Sequence, residues 1–214
     1  MSQKTPLAKN PPSVSKAVTG NTAFSDGVIA IIITIMVLEL RAPQGHELPD
    51  LAAATPTFLS YALSFIYVAL YWLNHHHLLY AAERVNGAIL WANIVLLFFL
   101  SLMPFSTAWL GDTHGARWPT IVYGASLLAP AIAYYVLQSL LINAHGRDHA
   151  LKRAVGGDAK GIVSLLIYVV GLATAALADP LWAQACFAFV ALLWVVPDQR
   201  IERELSKQIA PDTN

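Results

Sequence analysis

A hydroxyl and a carboxylate side by side, Ser25 and Asp26, and a separate run of imidazoles, His75-His76-His77, are the groups of this chain with the most chemistry to offer. They contain the residue types of a nucleophile and its base, of a metal cage, and of a proton or sodium site. The nucleophile reading fails on geometry, because Ser25 and Asp26 diverge by about 100° on a helix. No GxSxG elbow, HExxH pair or glycine-rich phosphate loop is present, so an intramembrane hydrolase is not expected. The metal reading fails similarly: three consecutive helical residues also point about 100° apart, and the i, i+4 spacing that chelates on one helix face is missing. Neither a metal nor a cofactor is expected. Two readings remain open. The histidines either join a hydrogen-bonded network with Asp26 and Ser25, Asn93 being assigned to a different depth and left out, or they meet headgroups and water at an interface.

What must position these groups is a membrane bundle. Of 214 residues 57% are apolar and 12% charged, and the mean hydropathy is +0.55. Apolar segments run roughly over 24–40, 52–79, 88–110, 118–142, 162–178 and 181–196, and about 17–25 such residues cross the hydrocarbon. The expectation is an all-α membrane protein with six transmembrane helices. Pro56 marks a boundary in the second span and Pro130 a kink in the fourth. Residues 1–20 read as a disordered tail, 21–204 as one transmembrane domain and 205–214 as a second tail. No internal repeat is evident, although the spans are compatible with two diverged triplets. The lone Cys186, inside the sixth span, reads as packing.

Basic residues fix the orientation. With the N-terminus inside, Lys4, Lys9, Lys16, Arg84, Arg147, Lys152, Arg153, Lys160, Arg200, Arg203 and Lys207 fall on the inner side, eleven against Arg41 and Arg117 outside. Both termini are therefore expected in the cytoplasm and the protein in the inner (plasma) membrane. A cleaved signal peptide, with its small-residue site near Ala42, is a poorer fit, because the apolar core is long and opens on Asp26. No segment concentrates enough basic charge for nucleic acid. Trp109, Trp118 and Trp182 flank the outer connections as an aromatic belt.

Within the first span Phe24, Ile31, Thr34, Ile35 and Leu38 share one face, while Asp26 points about 140° away from Ile31. An ionised carboxylate near hydrocarbon asks for a partner or a function. The stripe either packs on neighbouring helices, with Thr34 bonding back to its own backbone, or lines a pore.

Phe24-Ser25-Asp26-Gly27 and the Ile/Thr/Leu helix after it resemble the first helix of the transmembrane protein 175 potassium channels. The resemblance extends to Trp72-Leu73-Asn74-His75-His76, to Asn93 with Met103-Pro104-Phe105, and to Pro197-Asp198-Gln199-Arg200-Ile201-Glu202. It implies a homotetramer around one pore lined by the first helix, with Ile31 as the hydrophobic constriction, Ile35 and Leu38 as further narrow positions and Thr34 bearing on potassium preference. Potassium would be the permeant ion, with the lipid bilayer and other copies of the chain as partners. Phe24 and Gly27 would ring the inner mouth, and Glu39 reads as a solvated charge at the outer helix end. One position departs from the pattern: Gly20 stands where the family carries an arginine, so Asp26 lacks its cationic partner and His75, His76 or His77 must substitute. The rival reading is a secondary transporter or proton-coupled carrier using Asp26, but such carriers place the carboxylate near the midplane, whereas Asp26 sits at an edge.

Overall fold

A computed structural model of the chain describes residues 16–43, 45–145 and 159–195. The described residues form eight helices and no strand: α1 (Lys16–Leu38), α2 (Leu48–Ala53), α3 (Thr55–Tyr80), α4 (Gly87–Ser101), α5 (Met103–Asp112), α6 (Arg117–His145), α7 (Ala159–Leu177) and α8 (Pro180–Val195). The protein is an all-α, multi-pass membrane protein. Five stretches are long and apolar enough to span, α4 and α5 together counting as one, and the 16-residue α8 is a shorter apolar helix. The lysines and arginines at 4, 9, 147, 152, 153, 200, 203 and 207, the 197–202 segment and the tail 205–214 lie outside the described residues.

Helix boundaries follow local chemistry. Pro56 opens α3 in its first turn, where a missing N–H costs nothing. Pro104 does the same for α5 and divides the third span at Leu102, an interruption that hydropathy alone does not reveal. Pro130 lies inside α6, which runs unbroken for 29 residues. Asn86 caps α4, its side-chain oxygen accepting from the Ile89 N–H at 3.0 Å. The described α1 begins at Lys16, so residues 16–20 are helical.

α1 packs on α3, α4 and α5; α6 fills the centre against α4, α5, α7 and α8, and α7 and α8 form a hairpin. Ile29, Ile32 and Met36 carry α1 into the core cluster that also holds Val68, Leu96, Leu100, Leu137 and Phe187. Apolar burial alone does not select one arrangement of helices in lipid, because the tails are as apolar as leucine. Small and hydroxylic residues do more of that work. Ser64 of α3 lies 2.9 Å from the Tyr123 hydroxyl of α6 and accepts from Thr107 of α5 at 2.7 Å, and Ser106 meets Ser126 at 2.7 Å. Gly111 lets α5 touch α3, since a Cβ there would stand 2.7 Å from the Thr57 Cα. The α5–α6 turn needs left-handed backbone at His114 and Gly115 (φ 53° and 74°). Arg117 donates to the Ala176 and Ala178 carbonyls at 3.3 and 3.0 Å, closing the end of α7. Cys186 is half-buried against the core, as packing requires.

Candidate functional site

α1 has two sides of opposite character. Ser25, Ile29, Ile32 and Met36 are at most 4% exposed. Phe24 and Ile31 are each 58% exposed, Ile35 42% and Leu38 76%, and Gly27 and Thr34 are also exposed. The stripe is therefore largely uncovered by the other helices of the chain. Ile31 and Ile35 instead border an open groove of about 930 Å³ between α1 and α5, with Phe105 and Trp109 opposite and Glu39, Arg41 and Asp112 at its end. Thr34 does bond back, its hydroxyl donating to the Ile31 carbonyl at 2.9 Å. Its oxygen keeps its acceptor capacity outward.

The buried side of α1 is held by a polar chain. Asn93 of α4, fully buried, donates its two amide N–H groups to Ser25 Oγ at 2.8 Å and Asn21 Oδ1 at 3.0 Å. Ser25 in turn donates to the Asn21 carbonyl at 2.8 Å. The Asn93 oxygen is left for His75 Nε2 at 2.7 Å, so His75 carries its proton on Nε2. Its Nδ1 is then an acceptor without a hydrogen-bond partner among the described residues, as Asn21 Nδ2 is a donor without one. Asn93 is thus the hub of the network from which its expected depth excluded it. The depth was misjudged because the chain reverses between α3 and α4. His75 lies five residues before the end of α3 and Asn93 six after the start of α4, and at about 1.5 Å of rise per residue the two are level.

Asp26 takes a different set of partners, on the flank of α1 that meets α3. The Trp72 indole N–H donates to its Oδ1 at 2.9 Å, and His76 Nδ1 lies 3.4 Å from its Oδ2. The ring of His76 stands 5.5 Å from that of Trp72, as i, i+4 neighbours must. His75, about 100° round the helix, turns inward to Asn93 instead. His77 joins neither set: among the described residues its ring only meets that of His76, 6.2 Å away, edge to face. The three histidines therefore diverge as consecutive helical residues do, and no group of three metal-binding side chains occurs among the described residues. Gly20 has open space where a side chain would extend. Trp72 and His76 stand beside Asp26 in place of the arginine.

Residues 22–104, which hold Ser25, Asp26, Ile31, Thr34, Trp72, the three histidines and Asn93, match the model of the endosomal/lysosomal potassium channel TMEM175 family. A potassium channel of Chryseobacterium sp. (strain P1-3) is 49% identical over 185 residues, 86% of this chain and 96% of that one. The chain belongs to the TMEM175 family. A potassium channel of Chamaesiphon minutus is 36% identical over 122 residues, 52% of this chain and 60% of its own. The crystal structure of a lysosomal potassium-selective channel TMEM175 homolog from Chamaesiphon minutus superposes with a TM-score of 0.75 at 26% identity, covering 85% of this chain and 98% of that one. The TMEM175 membership thus rests on nearly the whole length of the chain. Two participants were missed in the sequence. Trp72 stands within a motif, and its i, i+4 relation to His76 is the signal for a shared face. Asn21 carried no signal of its own.

Proposed function

We propose that this chain is one subunit of a homotetrameric, potassium-preferring channel that conducts passively, with the exposed stripe of α1 lining the axis. Its placement in the inner (plasma) membrane, both termini cytoplasmic, is part of the same proposal. So is a single channel domain over 21–204. Lys16, Arg84 and Lys160 towards one end of the bundle, and Arg41 and Arg117 towards the other, are the described basic residues on which that orientation rests.

The observation that carries this reading is the division of α1: a row of Phe24, Gly27, Ile31, Thr34 and Leu38 largely uncovered by the other helices of the chain, on a helix pinned from behind by Asn93 and His75. A rigid helix presenting an apolar row suits an axis shared by several copies, because six short-looped helices cannot enclose an aqueous path alone. Ions would enter past Phe24 and Gly27. At Ile31 symmetry-related isobutyl-sized groups narrow the path and disfavour water, with Ile35 and Leu38 as further constrictions. Thr34 oxygens beyond that ring would replace part of a cation's hydration. The sequence has no TVGYG-type filter whose carbonyls could strip the ion fully, so selectivity is modest. No catalytic step and no cofactor is involved.

Asp26 argues against the carrier reading. Its carboxylate faces Trp72 and His76 on α3, away from the row on α1. Purified protein in liposomes with a potassium gradient tests the proposal. Expected are a tetrameric particle and potassium flux that continues when proton movement is blocked. Flux that requires proton exchange and vanishes in Asp26→Asn would instead establish the carrier.

A further inference from the structure

A second cavity lies away from α1, between α3, α6, α7 and α8, with the rings of Tyr71, Tyr134, Tyr168 and Trp194 in its wall. Its volume is about 60 Å³. One water needs roughly 10–15 Å³ on this measure, so the space holds about four to six non-hydrogen atoms. No carboxylate, amine, guanidinium or imidazole lines it, which excludes a charged occupant.

The hydrogen bonds of the lining select the occupant further. Ser164 has no donor left: its hydroxyl donates to the Lys160 carbonyl at 2.7 Å and accepts from Trp194 Nε1 at 2.8 Å. Tyr134 donates to the Asn74 backbone carbonyl at 3.2 Å. Asn74 gives its amide N–H to the Leu70 carbonyl at 2.8 Å, leaving its side-chain oxygen unbonded. The Tyr71 hydroxyl has ring neighbours but no hydrogen bond among the described residues. Tyr71 and Asn74 are i, i+3 on α3 and so share a face. Tyr67 donates to the Phe187 carbonyl and Tyr168 pairs with Tyr67, while Tyr135 is 43% exposed, so Tyr71 and Asn74 offer a donor and an acceptor beside a wall of aromatic and aliphatic side chains. Buried water typically needs about three partners and finds two here. A hydroxyl bearing a short alkyl chain needs no more than these two, and its chain fills the rest.

We infer that this cavity is a binding site for a short-chain alcohol of about three to five carbons, its hydroxyl accepting from Tyr71 and donating to Asn74 Oδ1. The site shares no residue with the α1 face and does not depend on how ions pass. The test is photolabelling of the full-length protein in liposomes with a diazirine-bearing propanol, whose heavy atoms fit that volume, read by peptide mass spectrometry. Label should concentrate on Tyr71, Tyr134 and Tyr168 and fall as unlabelled 1-butanol is added. Tyr71→Phe, which removes one atom from a packed ring, should lower that label roughly 3- to 10-fold, the worth of one hydrogen bond, while label from a diazirine-bearing butane is unchanged. Label spread over lipid-facing residues without enrichment at the tyrosines, or equal effects of Tyr71→Phe on both probes, would overturn the inference.

Discussion

Replacing Asn93, which is fully buried, by alanine removes three hydrogen bonds. The His75 Nε2–H at 2.7 Å loses its acceptor, and Ser25 Oγ and Asn21 Oδ1, at 2.8 and 3.0 Å, lose their donor. A stranded buried imidazole N–H costs about 1–3 kcal/mol and the two other bonds about 0.5–1.5 kcal/mol each, so the whole change is worth roughly 2–6 kcal/mol. Asp26→Asn is the comparison. An asparagine still accepts from Trp72, and the pair with His76, whose side chains are 38% and 32% exposed for His76 and Asp26, contributes about 0–1 kcal/mol. Thermal or denaturant unfolding of the detergent-solubilised protein should therefore rank Asn93→Ala far below Asp26→Asn, which should stay close to wild type. Equal losses in the two variants, or an Asn93→Ala protein as stable as wild type, would refute the assignment of Asn93 as the anchor of α1.

Gly111→Ala should destabilise the same protein by about 1–3 kcal/mol, because the added carbon meets Thr57 backbone at 2.7 Å; Gly87→Ala, with open space around it, should unfold no earlier than wild type. Thr34→Ala should leave current intact while moving the bi-ionic reversal potential towards equal potassium and sodium permeability, since only an outward-facing oxygen is lost.

The α1 stripe was legible because its seven-residue and three- to four-residue spacings project onto one face whatever the helix packs against. Its exposure was not, since pattern alone treats a lining face and a packing face alike. Trp72 and His76 could be assigned together from i, i+4 spacing, but that Asp26 prefers them to His75 depends on where α1 crosses α3. Asn93 needed the length of the 81–86 connection, which sets the levels of two antiparallel helices and which hydropathy places only to within a turn. The Ser64–Tyr123–Thr107 cluster joins three helices through hydroxyls that look unremarkable in each helix alone. The division of the third span at Leu102 was available in principle from Pro104, which favours a first turn over a helix interior.

The identity of the face that lines the pathway is tested most directly by single-channel current in Ile31→Asn and Val37→Asn. Both side chains are exposed, at 58% and 46%, and they point about 120° apart on α1, so neither change buries an amide in the core as Ile32→Asn would. Ile31→Asn should replace a dewetted ring by a polar one and raise the unitary current, with Val37→Asn unchanged. A larger current in Val37→Asn, with none in Ile31→Asn, would place the pathway on another side of the helix.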